Sequence, residues 1–409
     1  MGTNERTLAK NTLMLSVMQV SGYVFPLLSF PYLTRVLGMG RYGVVVFANS
    51  IMSYFTLFIE FGFLLSGTNS CSLAADDRQQ LGRITVGIME AKCLLAVIAL
   101  VVLIAGCVLV EKLRQDFLFF VLSFVGIALT IFLPDFLFRG IERMGIITWR
   151  VLVSKAVYTA AIFLLVRDEA DYIFVPLATI GANLTAVVLT WIEIAKKRLI
   201  VLSAVSARDV LRCLRESSAF FLSRIATTFY TSLNTVLLGF RFPSAEVGLY
   251  GAANTMANTC KSMMSPLSDS IYPYMVKRRN FALVRRILLV LEPVVIACCA
   301  ALWLLSPQVV RLVCGAGYEG AVPMLRGLLP VVAITLPAYL CGYPVLGALG
   351  RLDWANRSVV IAASFHSAGL LVLLLTGGIG FMPVIVLTCC TQFLELGIRV
   401  TVIMREVRK

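Results

Sequence analysis

The chain has 409 residues, 59% of them hydrophobic and only 14% charged, with a net charge of +14 and a mean hydropathy of +0.90. A soluble domain of this size carries roughly 25% charged residues, so a water-soluble globule is excluded. The cations are scattered along the chain rather than gathered on one soluble face, which argues against a nucleic-acid partner.

Apolar segments succeed one another from the start. Charge-free or nearly charge-free runs cover 11–34, 42–59, 93–110, 117–134, 172–192, 293–310, 327–350 and 358–394. A helix of about 20 apolar residues crosses roughly 30 Å of hydrocarbon. The last run is too long for one crossing and breaks at TGGIGFMP, 376–383, where glycines and Pro383 interrupt a helix. Adding the more polar segments 151–166, 218–240 and 246–271 predicts twelve spans in an all-α, polytopic membrane protein. The first segment exceeds a secretory apolar region and lacks a small-residue cleavage site, so it reads as an uncleaved span.

With an intracellular amino terminus, the inward loops hold 23 Lys and Arg and the outward loops 7. Cytoplasmic loops carry this excess, so both termini are expected in the cytoplasm. Shifting the sequence by 205 residues superposes Gly43 on Gly248, Ala48 on Ala253 and Asn49 on Asn254, and also Gly145 on Gly350 and Trp149 on Trp354. One offset of half the chain length predicts two parallel six-helix lobes, 1–200 and 201–409. The basic segment AKKRLIVLSAVSARDVLRCLRES, 195–217, joins them.

Enzyme chemistry finds no support. There is no G-x-x-x-x-G-K-[ST], and GAGYEG at 315–320 follows an apolar span rather than a strand, so it reads as a turn. The 11 cysteines form no C-x-x-C and read as small apolar helix residues, so no metal is expected. The lone His366 lies in an apolar run and reads as a helix-packing residue.

The informative residues are ionisable ones inside spans: Glu60, Glu90, Lys92, Asp135, Lys155, Arg224, Lys261, Glu292, Arg326, Glu395 and Arg399. Each central charge costs about 2.5–3.5 kcal/mol on insertion scales, so most must pair, snorkel or face water. Glu395 and Arg399 are spaced for an i,i+4 pair, whereas Glu90 and Lys92 cannot face each other. Arg224 and Lys261 have no carboxylate neighbour in their own spans. They point either to a cavity that accepts an anion or to pairing with Glu60 or Glu90.

Several stretches resemble a known family. FPYLTRVLGMGRYGVVVFANS (30–50), FGFLLSGT (61–68), FLFRGIERM (136–144), FFLSRIATTFYTSLNTVLLG (220–239), KSMMSPLSDSIYPYM (261–275) and CGAGYEGAVPMLRGLLP (314–330) are similar to bacterial flippases for lipid-linked polysaccharide repeat units. These are the O-antigen and teichoic-acid class of the multidrug/oligosaccharidyl-lipid/polysaccharide exporter superfamily. The chain departs from that pattern at Asp135 and Arg139, where the family shows Trp and Gln, while Gly140, Ile141 and Glu142 match.

The resemblance implies a two-lobed, V-shaped transporter that opens alternately to either side of the bacterial inner membrane. Its cargo would be a polyprenyl-pyrophosphate-linked oligosaccharide, and its other partners membrane lipids and polysaccharide polymerase machinery. In that frame Arg224 and Lys261 attract the pyrophosphate. Asn49, Asn234 and Asn254 are available to sugar hydroxyls or to interhelical hydrogen bonds. Arg35 either draws the anion outward or anchors a helix end. Gly22, Pro26 and Pro31 would let the first span bend. No cofactor is expected. Coupling would come from the membrane potential or from H+ or Na+ carried by Glu60. The alternatives are a major-facilitator-like exporter of drugs or small solutes, suggested faintly by DDRQQLGR at 76–83, and a membrane-embedded glycosyltransferase or polymerase.

Overall fold

The computed structural model describes the backbone of residues 3–407, and their side chains except at 3–13, 15–17, 20, 23, 222–231 and 407. Every regular element among the described residues is helical. Hydrocarbon offers the backbone no hydrogen-bonding partner, so a spanning segment must satisfy its own N–H and C=O groups, and a helix does so. Nine described helices are long and apolar enough to cross a membrane. In Phe281–Leu304 only 6% of the most apolar window is buried, so an all-round apolar surface faces outward, as lipid permits and water does not. The chain is a multi-pass integral membrane protein.

Its contacts form two units: Met1–Leu37 with Phe47–Thr228, and Gly38–Val46 with Phe229–Lys409. In the first, α1 (Thr3–Glu60) runs unbroken through Pro26 and Pro31 and breaks at Gly38, where φ is 61° and ψ 175°. A left-handed φ suits glycine alone without strain, so the bend sits there and not at the prolines. Then follow α2 (Phe63–Leu73), α3 (Arg78–Leu109), α4 (Glu111–Gln115), α5 (Phe117–Ala128), α6 (Asp135–Gly140), α7 (Met144–Leu165), α8 (Phe174–Lys196) and the start of α9 (Ala207–Arg241). Asp77 caps α3 by accepting the Gln79 and Gln80 amides. Phe63, Leu81, Ile88, Phe136 and Phe138 fill the core beneath. Ser206 opens α9 in a reciprocal box with Asp209. The Ser206 hydroxyl, at 2.7 Å, holds the Asp209 carboxyl below its ordinary range.

In the second unit come α10 (Ser244–Ser262), α11 (Ser265–Arg278), α12 (Phe281–Leu304), α13 (Ser306–Cys314), α14 (Ala321–Ala333), α15 (Thr335–Leu340), α16 (Leu352–Leu375) and α17 (Phe381–Val407). α10 buries a face of small and slender residues, Gly248, Gly251, Ala252, Ala253 and Ala257. That face admits segment 38–46 so closely that a Cβ on Gly43 would strike the Ser244 carbonyl, and one on Gly248 the Met39 carbonyl. Because backbone rather than a flexible side chain fills the space, relief requires the helices to separate. Gly43→Ala and Gly248→Ala should each cost more than about 2 kcal/mol and lower the yield of monodisperse protein in detergent. Gly181→Ala, whose Cβ meets nothing within 4 Å, should leave it unchanged.

Candidate functional site

Polar residues line one face of a helix in each unit. After the break in α1, Asn49, Ser53, Thr56 and Glu60 stand at i, i+4, i+7 and i+11, a spacing that keeps them on one side. Asn49 is exposed and the other three partly exposed. The Ser53 and Thr56 hydroxyls donate to their own helix, to the carbonyls of Ser50 and Met52. On α10, Asn254, Asn258 and Lys261 repeat the spacing; Asn258 is exposed, the other two partly so. The 205-residue offset superposes 49, 53 and 56 on 254, 258 and 261. Asn258 escaped the sequence reading, although its place midway between Asn254 and Lys261 on a helical face was a usable signal.

The first unit neutralises its buried charges by pairing. Lys92 donates to Glu60 at 2.8 Å, with its own side chain 2% exposed and that of Glu60 27%. Glu90 points away and is exposed. Arg150, also buried, meets Asp135 at 2.6 Å and donates to the Thr190 hydroxyl. In both cases the partner lies on another helix. Lys155 lies near Gly22, whose added Cβ would sit 3.4 Å from its Nζ.

Two clusters in the second unit are saturated. Arg399 binds Glu395 and donates to the Ser358 hydroxyl at 3.0 Å and the Ala338 carbonyl at 2.7 Å. The fully buried His366 joins Asn234 at 2.8 Å through Nε2 and Thr391 at 2.9 Å through Nδ1. Asn234 also donates to Thr388 at 3.1 Å, so both ends of its amide are engaged between helices.

Lys261 is different. Its Nζ reaches the Asn258 side-chain oxygen at 3.4 Å, and no carboxylate among the described residues lies within 4 Å. Glu395 acts on it through space, but that carboxylate already holds Arg399. α10 therefore presents an ammonium and two carboxamides along one partly accessible face, a set that can bind an anion and neighbouring hydroxyls. Arg35 is exposed, three residues before the break in α1. The Arg224 side chain, on α9, lies outside the described residues.

The sequence model of the family described as "Polysaccharide biosynthesis protein" matches residues 8–278. A curated Escherichia coli (strain K12) protein named "Putative O-antigen transporter" is 28% identical over 99% of this chain and 95% of its own length. Among solved structures, an inward-facing multidrug resistance transporter of the MATE family aligns with a TM-score of 0.74 at 11% identity, covering 98% of this chain and 99% of that one. The lipid II flippase MurJ in an inward closed conformation aligns at 0.71 and 11%, covering 97% and 87%. At such identities the solved structures establish the transporter fold.

Proposed function

This chain belongs to the polysaccharide biosynthesis protein family, and from that premise we propose that it is a flippase for lipid-linked oligosaccharide. The observation that carries the reading is its end-to-end relation to the protein named "Putative O-antigen transporter". The cargo is a polyprenyl-pyrophosphate-linked repeat unit, moved from the cytoplasmic to the outer leaflet of the bacterial inner membrane. A pyrophosphate bearing sugars cannot enter hydrocarbon unaided, because every unmet polar group costs several kcal/mol there. The accessible face of α10 supplies what that head lacks: Lys261 for the phosphate, Asn254 and Asn258 for hydroxyls. Asn49 and Arg35, in the first unit, are cargo contacts in this reading as well, while Asn234 contributes through the packing it holds. Arg224 is a second cation for the phosphate.

The proposal keeps twelve crossings in two lobes, 1–200 and 201–409, alternating access, and cytoplasmic termini. Drive comes from the membrane potential or from an ion, with Glu60 as its candidate carrier, and the exported units pass to polymerase machinery. During transport, further bending of the first span draws on Gly22, Pro26 and Pro31, which are helical here, in addition to the break at Gly38.

The test is a host strain deleted for its own repeat-unit flippase. Expression of this chain is expected to restore surface polysaccharide and to clear lipid-linked units from the inner leaflet. Units that stay trapped while the cells export a small cationic dye would replace this reading by the small-solute exporter.

A further inference from the structure

The first unit carries a recess that the proposed transport path does not use. It opens where α7 begins and α8 ends, the same end of two antiparallel helices, and has a volume of about 630 Å³. Arg143 and Lys196 enter it from points 53 residues apart in sequence, together with Trp149 and Ile192. An adjoining recess of about 560 Å³ shares Arg143 and Lys197 and extends to Arg78.

The charges are not equally available. Of the cations lining the larger recess, Arg150 is spent on Asp135 and Lys197 on Glu193, at 2.9 Å. Arg143 and Lys196 are exposed, and neither has a carboxylate within 4 Å among the described residues. Glu142, the remaining acid at the rim, is engaged by another group. The first amides of α7 add donors, since no side chain caps that end, and a Cβ on Gly145 would meet only open space.

An apolar track leads away from these cations. Leu184, Val188 and Ile192 are 50%, 48% and 42% exposed and recur every four residues along α8, ending in the recess. Eight residues of helix rise about 12 Å, several carbon–carbon bonds of an acyl chain. Trp149 is 65% exposed and lines the recess beside the cations and Ile192. Tryptophan favours a membrane boundary. Cations and an aromatic ring at the helix ends, with aliphatic side chains leading away along α8, match an amphiphile from head to tail. A free phosphate would need only the first of the three.

We propose that this recess binds an anionic phospholipid, with the phosphodiester held by Arg143 and Lys196 and one acyl chain along Ile192, Val188 and Leu184. The site is independent of the cargo that the transporter moves.

Native mass spectrometry of the purified full chain, titrated with phosphatidylglycerol, tests it. Retained phosphatidylglycerol should exceed phosphatidylethanolamine, and Arg143→Gln with Lys196→Gln should weaken retention about tenfold or more. Arg143→Lys with Lys196→Arg should preserve it, as should Arg311→Gln at an exposed residue of the other unit. Unchanged retention in the Gln pair, or equal retention of phosphatidylethanolamine, would overturn the site. So would displacement by sn-glycerol phosphate as effective as by intact lipid, which assigns the recess to free phosphates. Displacement by polyprenyl pyrophosphate alone would give it to the cargo. If the Gln pair loses its fold, the charge-preserving pair combined with Ile192→Ser and Val188→Ser decides: retention must fall through the track alone.

Discussion

Glu60→Gln should sharply reduce the amount of folded protein, and Lys92→Met added to it should restore most of the loss. Lys92 is almost completely buried and Glu60 is its ion-pair partner, so neutralising Glu60 strands an ammonium inside a membrane protein. Removing one member of a buried pair costs about 3–5 kcal/mol, whereas an apolar replacement of both is often neutral. The partners are unequal in burial. Lys92→Met alone leaves a carboxylate that still reaches solvent, and should cost less than Glu60→Gln. Thermal unfolding followed by size-exclusion chromatography ranks the variants, and equal loss in both singles with no rescue in the double would refute the pairing argument. The double variant also isolates the coupling question. If it is folded but exports nothing, Glu60 has a role beyond neutralising Lys92; export at the native rate removes Glu60 as the ion carrier.

Lys261→Ala should cut repeat-unit export by about 10- to 100-fold with the protein still inserted at its normal level. A hydrogen bond to a charged group contributes about 1.5–3 kcal/mol, and each 1.4 kcal/mol is a factor of ten. Insertion should survive because truncating Lys261 orphans no carboxylate: Glu395 keeps Arg399. Lys261→Arg retains the charge and should keep a large share of export. Asn258→Ala should have a smaller effect in the same direction, because a neutral contact carries less of the attraction. Full export by both Lys261→Ala and Arg224→Ala would remove the anion site from the proposal.

The run of apolar segments marked a helical membrane protein because hydropathy is a sum over neighbouring residues, and the cost of leaving hydrocarbon is paid locally. Motifs in the loops and span ends marked the family for a similar reason, since they are contiguous. Lys261 and Asn254 stood out as polar residues in apolar surroundings, and the helical period that aligns them with Asn258 can be read along one strand of text.

Apart from Glu395 and Arg399, whose i,i+4 spacing announces their pair, the partners of the other polar residues could not be read that way. Lys92 finds Glu60 across 32 residues, and His366 finds Asn234 across 132. Such contacts depend on how each helix is rotated about its axis and which neighbour it faces, and a one-dimensional pattern specifies neither. The bend in α1 is similar. Pro26 and Pro31 weaken hydrogen bonding within the helix, yet the helix continues through both and breaks at Gly38. Composition by itself determined the solvent this chain folds in and the kind of element it folds into. Tertiary packing decided which buried charges distant in sequence are silenced by a partner, because such pairing is a property of distance between helices.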